Sequence, residues 1–124
     1  MLVLYFKQWD ILQLLALAFT IERLLYLLLK NSLRRNRPPQ AIQGYTSIIK
    51  PSDQFSFPSG HTSAAFLVMI IGSFFLPMLG LALFFWASCV GISRVMLGVH
   101  FPTDIIAGAL LGITTSLFSI ALLY

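Results

Sequence analysis

Apolar residues fill this chain in long blocks, separated by one polar stretch from residue 31 to residue 58. The first block, Ile11 to Leu29, would be about 28 Å long as a helix, which matches a hydrocarbon core of about 30 Å. It predicts a membrane helix. Glu22 and Arg23 interrupt it, and charge at that depth is costly, so both should face other helices or snorkel toward the nearer interface. Ala16-Leu17-Ala18 has the small-residue spacing of a leader-cleavage site, but the residues before it lack a clearly basic start. Cleavage there would also leave a stub too short to span, so the block is retained as a span.

The second block holds a single proline, Pro77, flanked by Gly72 and Gly80. One helix over residues 62–97 would reach about 54 Å, well beyond a bilayer, so the pattern predicts a hairpin of two helices turning near Pro77. Its first arm would be only about 22 Å long. The start of that arm must then be recessed, or the preceding loop must dip into the membrane under protein cover. The third block runs from Phe101 to Tyr124. Between the first two blocks, Pro38, Pro39, Gly44, Pro51, Asp53 and Pro58 supply the turn chemistry of a connecting loop.

The predicted fold class is therefore all-α: a polytopic membrane bundle of about four transmembrane helices, near residues 11–31, 61–76, 78–97 and 102–123. It forms one domain over residues 1–124, with both termini on one side. Tyr5, Trp9 and Tyr124 would share the terminal face, where amphipathic rings favour the interface. Ala87 with Gly91, and Gly108 with Gly112, are small pairs that let helix backbones approach closely.

Composition narrows the class further. The chain is 58% hydrophobic and 10% charged, against about a quarter charged in a soluble domain, which leaves too little polar surface for water. Eleven phenylalanines exclude a disordered segment. The single cysteine, Cys89, cannot form an intrachain bridge, and its apolar neighbours predict a buried packing role. The net charge is +4, concentrated in Lys30, Arg34, Arg35 and Arg37. That cluster needs an anionic partner. Lipid head groups or phosphates fit it, whereas no soluble domain remains to read a nucleic-acid groove.

Under this topology the polar residues that survive in apolar sequence gather on one face: Lys30 and Arg37, Pro58-Ser59-Gly60-His61, Ser93-Arg94, then His100 and Asp104. Cations, a hydroxyl, two imidazoles and a carboxylate at one membrane edge suit phosphate chemistry. Ser59 and Gly60 read as a helix start, whose free N–H groups bind anions. The same residues read equally as a plain cap with an interfacial His61. His100 and Asp104 share a helix face, so the carboxylate can fix one imidazole nitrogen and leave the other as a nucleophile; alternatively, Asp104 simply favours the helix N-terminus. Arg94 and Arg37 offer planar forks suited to a phosphoryl group, with snorkelling as the alternative for Arg94. Arg34 and Arg35 are expected to be solvated or lipid-facing.

At these residues the sequence resembles the type 2 phosphatidic acid phosphatase and vanadium haloperoxidase superfamily, in its bacterial membrane lipid phosphatase branch. The family's three signatures, K-x6-RP, PSGH and SR-x5-H-x3-D, are present in order at Lys30 to Pro38, Pro58 to His61 and Ser93 to Asp104. The resemblance implies that Lys30, Arg37, Ser59, Gly60 and Arg94 hold a phosphate. It further implies that His100 attacks phosphorus, Asp104 orients His100, and His61 protonates the leaving oxygen. No metal and no cofactor is called for, because cations of the chain take that role.

The resemblance also implies hydrolysis of a membrane lipid phosphate, of the phosphatidic acid, phosphatidylglycerophosphate or undecaprenyl pyrophosphate type. Its bacterial members usually have six membrane helices, so this chain is a reduced form lacking the first two, with a flank open to a homo-oligomeric contact. Orientation sets two arguments against each other. With the candidate site cations removed, Arg34, Arg35 and Lys50 against Lys7 and Arg23 give a weak inward bias for the site face, while the resemblance favours an outward-facing site at the bacterial inner membrane. The rival functions are a non-catalytic membrane protein that binds anionic lipid through its basic cluster, and vanadate-dependent peroxidation, an activity of much larger soluble chains.

Overall fold

The computed structural model describes residues 2–124, with side chains from residue 8 onward. The side chains of Tyr5 and Lys7 therefore lie outside the described residues. The elements in chain order are α1 (Leu2–Leu33), a one-turn α2 (Pro38–Ala41), α3 (Gly60–Phe75), α4 (Gly80–Met96) and α5 (Pro102–Leu123). Among the described residues the only β pairing is an isolated antiparallel bridge between Asn36 and Phe55. It folds the connecting loop back on itself.

Three segments are long and apolar enough to cross a membrane: Gln8–Leu33, Pro77–Met96 and Pro102–Leu123. Helix α3 has 16 residues, about 24 Å, and is short as the sequence predicts. It touches all three other long helices, as α5 does, and its most extensive contact is with α5. A recessed start is tolerable there because protein, not lipid, surrounds it. The chain is an integral membrane protein. The hairpin turn falls where Pro77 interrupts the pattern: α3 ends at Phe75 and a 3-10 turn over Pro77–Leu79 leads into α4. Helix α1 starts earlier than the hydropathy block suggests.

Two apolar seams hold the bundle. Leu14 and Ala18 of α1 pack on Leu67 and Ile71 of α3, and Ala87 of α4 packs on Ala65, Phe66 and Met69. The tightest contact joins α3 and α5. A Cβ on Gly108 would lie 2.5 Å from the Ser59 carbonyl oxygen, and one on Gly112 closer still to that of Ser63. Only hydrogen fits between these backbones, as the small-pair spacing predicts. Ser63 donates to Glu22 of α1 at 2.5 Å, so a buried carboxylate ties α1 to the same helix.

The outer face of α4 presents Leu81, Phe85 and Met96, apolar side chains suited to lipid. Cys89 lies on this face and is exposed. That corrects the expectation of a buried packing role. Its apolar neighbours in sequence reflect the lipid-facing side of α4, because in a membrane protein hydrophobic context marks the outside as readily as the core. At the opposite end from the polar loop, the Tyr124 ring lies 5.3 Å from Phe74 and 6.1 Å from Phe75, which places the end of α5 beside the end of α3.

Candidate active site

Four backbone events bring the polar residues together. Helix α1 ends at Leu33, and Arg34 takes a positive φ of 48°, turning the chain so that Arg37 points back toward the bundle. Ser59 caps α3, its Oγ accepting from the Thr62 N–H at 3.4 Å. Gly98, at φ 79°, ends α4 in the left-handed conformation that glycine adopts without steric cost, and delivers Val99 and His100 to the bundle rim. Pro102 then opens α5, where Asp104 accepts from the Phe101 N–H at 2.8 Å. The Ser59 N–H donates to the Asp104 carbonyl at 3.0 Å. The starts of α3 and α5 are thereby pinned together.

Beside this junction, walled by α1, the polar loop, α3, the end of α4 and His100, lies a cavity of about 480 Å³ lined by Arg37, Gly60, His61, Arg94 and His100, with Phe19, Arg23, Tyr26, Ser52, Asp53 and Ala64 completing the wall. Five of the eight residues singled out in the sequence thus meet at one cavity. The His100 ring is buried, with Nε2 lying 3.4 Å from Arg37 Nη1. Its Nδ1 faces Asp104 Oδ2 at 3.5 Å, longer than a formed hydrogen bond, and has no other partner among the described residues. His61 is exposed to the cavity. Arg94 makes no hydrogen bond to the described residues, and its Nε is shut off from solvent. An unpartnered guanidinium in such a place calls for an anion.

The other three predicted residues stand behind the wall. Asp104 is fully buried beneath His100. Ser59 is also fully buried, its hydroxyl 2.9 Å from that of Thr62. Lys30 bonds the Tyr26 hydroxyl and reaches Asp53 Oδ2 at 2.6 Å, with its ammonium 4.5 Å from the Tyr26 ring centre. The ring in turn covers Gly60, where a Cβ would lie 3.0 Å from it.

Asp53 is a site residue that sequence reasoning missed. One oxygen takes Lys30 and the other takes Arg37, while its backbone carbonyl accepts from Arg37 Nε at 3.1 Å. Burial pushes the Asp53 carboxyl up, but the hydrogen bonds from Lys30 and Arg37 outweigh it and hold the group below the ordinary carboxylate range. Arg35 was missed as well. It is not simply solvated or lipid-facing: Nη1 bonds Asp104 Oδ1 at 2.8 Å and the Thr103 hydroxyl at 2.5 Å, and its guanidinium lies 5.2 Å from the Phe57 ring centre. Arg23, read as structural, joins the cavity wall. No local signal distinguishes Asp53 and Arg35, because each finds its role through a contact distant in sequence; Arg23 pairs locally with Glu22 and joins the wall only because other elements close the cavity around it.

The sequence profile of the PAP2 superfamily matches residues 11–124, nearly the whole chain. The chain belongs to the PAP2 superfamily. Within it, this PAP2 protein is 38% identical over 120 residues to phosphatidylglycerophosphatase B of Bacillus subtilis, a match covering 88% of this chain and 56% of that protein. It is 32% identical over 109 residues to lipid A 1-phosphatase of Rhizobium johnstonii, covering 83% of this chain and 45% of the relative. The chain spans about half the length of the curated relatives it matches. Among solved structures, the crystal structure of Aquifex aeolicus LpxE superposes with a TM-score of 0.82 at 30% identity, covering 97% of this PAP2 chain and 73% of that one. A transmembrane PAP2-type phosphatidylglycerolphosphate phosphatase from Bacillus subtilis superposes with a TM-score of 0.73 at 32% identity, covering 89% and 57%. These neighbours share the all-helical membrane architecture.

Proposed function

We propose that this PAP2 protein is a single-domain, metal-independent phosphatase of a membrane lipid phosphate that works through a phosphohistidine. The observation that carries the reading is the meeting of two imidazoles, His61 and His100, at one cavity with the guanidinium groups of Arg37 and Arg94. The relatives named as lipid phosphatases lend it weight.

In this mechanism Arg37, Arg94 and the Gly60 N–H hold the phosphate, supported by Lys30 and by the Ser59 cap. Asp104 accepts a hydrogen bond from the Nδ1–H of His100, closing a separation that commonly tightens when substrate binds, and the proton stays on Nδ1. The Nε2 lone pair then attacks phosphorus. As the N–P bond forms, the bond from phosphorus to the lipid oxygen breaks, and protonated His61 gives its proton to that oxygen. Neutral His61 next takes a proton from water, whose oxygen attacks phosphorus; the N–P bond breaks, inorganic phosphate leaves, and both histidines return to their starting states. The cations meet the charge that grows on the phosphoryl oxygens.

The candidate substrates are phosphatidic acid, phosphatidylglycerophosphate and undecaprenyl pyrophosphate, with the protein in the bacterial inner membrane and its site facing outward. Replacing His100 with Ala and measuring phosphate release from these lipids with a chelator present tests the reading. Release should fall to background in the variant and be unaffected by the chelator in the parent; unchanged release in the variant would end the proposal.

A further inference from the structure

Arg23 sits seven residues before Lys30 on α1, two turns and about 10 Å nearer the middle of the helix. It lines the same cavity as His100 and Arg94. Its Nε and Nη2 grip the two oxygens of Glu22, each at 2.5 Å. Glu22 is fully buried and is fixed from behind by Ser63. The Arg23 guanidinium also lies 4.1 Å from the Tyr26 ring centre. The fork is therefore held rigidly, with Nη1 lacking a hydrogen-bond partner among the described residues. Phe19, one turn deeper on the same face, continues the wall with an apolar ring. From the loop inward the cavity reads as phosphate-holding cations, then one more cation, then an apolar wall.

A lipid bound with its terminal phosphate at His100 and its tail in the bilayer would place whatever lies between them against Arg23. An alcohol or ester needs no guanidinium there, whereas a second phosphoryl group does. We propose that Arg23, oriented by Glu22 and Ser63, forms a second anion subsite, which makes a lipid with two phosphoryl groups in series the preferred substrate over a lipid monophosphate. The inference rests on the phosphatase reading and adds the substrate class. The two groups are either joined directly, as in a polyprenyl diphosphate, or spaced by glycerol, as in phosphatidylglycerophosphate.

The test measures kcat/KM in mixed micelles for a polyprenyl diphosphate, phosphatidylglycerophosphate and phosphatidic acid, with the parent and with Arg23→Gln. Because Arg23→Gln leaves Glu22 buried without its cation, the double variant E22Q/R23Q is run beside it. With the loss of a charge-assisted bond, both variants should lose about tenfold or more on at least one two-phosphate lipid and less than about twofold on phosphatidic acid. Which two-phosphate lipid suffers identifies the spacing. Equal losses on all three lipids, or no loss on either two-phosphate lipid, would overturn the subsite. Calorimetric binding of the same lipids to the His100→Ala protein, with and without Arg23→Gln, separates the two ideas. If the parent hydrolyses none of the lipids, the phosphatase reading fails, and the binding ratio still decides whether Arg23 selects a second phosphate.

Discussion

Replacing Gly108 with alanine tests whether the close approach of α3 and α5 sets the candidate site. The new Cβ would start 2.5 Å from the Ser59 carbonyl oxygen, with Thr62 Cβ at 3.2 Å and Ser63 N at 3.3 Å. The nearest neighbour is backbone, so no side chain can swing away, and reaching an ordinary 3.4 Å requires α5 to retreat by about 0.9 Å. In a helix, alanine gains about 0.5–1 kcal/mol over glycine, while overpacking costs about 1–3 kcal/mol. With the nearest neighbour being backbone, the cost lies toward the upper end of its range and the clash wins, for a net loss of up to about 2.5 kcal/mol. Its larger effect falls on the chemistry. Gly108 is one turn beyond Asp104, and Ser59 adjoins Gly60 and His61, so the shift separates the His100 side of the cavity from the His61 side. A misplacement of about 1 Å costs about 10²-fold in rate. Phosphate release and thermal unfolding in detergent measure both effects. Gly80→Ala is the control, because its Cβ would come no closer than 3.4 Å to anything, and that neighbour is the Ser73 side chain. A Gly108→Ala protein as active and as stable as the Gly80→Ala protein would mean that the close approach of α3 and α5 does not set the site.

Asp104→Asn should lower kcat by about 10⁴-fold, the size seen when an imidazole-orienting carboxylate becomes an amide that stabilises the wrong tautomer; steady-state kinetics should show KM changed by only a few fold. Arg35→Ala removes the ion pair on Asp104 Oδ1 and should cut kcat by about tenfold, with Arg35→Lys partly restoring it because lysine keeps the charge but loses the fork. Asp53 has a depressed carboxyl, so its anchoring of Lys30 and Arg37 is complete above the unfolded value of about 3.9 and is lost as pH falls through the lower folded value. Hydrogen exchange of the loop amides around Asp53 should therefore accelerate in that acid range in the parent. Asp53→Asn should exchange fast already at neutral pH and show no acid step.

The membrane architecture was legible in the sequence because a bilayer permits so few solutions. Backbone groups in hydrocarbon must be satisfied within helices, so each apolar block of sufficient length announces a span, and Pro77 between two glycines marks the only place for a turn. The order of Lys30, Arg37, Ser59, His61, Arg94, His100 and Asp104 was legible for a related reason. Polar residues are expensive in such a chain, and the few that persist stand out. Tertiary structure alone decided how those residues divide the space. Ser59 faces Thr62 and Lys30 faces Tyr26 and Asp53, while the guanidinium groups of Arg37 and Arg94 line the cavity. Asp53 and Arg35 gained their places through partners distant in sequence, whereas Arg23, paired with Glu22 and Tyr26 on its own helix, gained its place from the elements that close the cavity around it. A polar loop carries no periodicity to betray its path, and a charge on a helix reveals its partner only once the neighbouring helices are in register. Hydropathy alone says where the chain must cross; the contacts made at close packing say which charges meet.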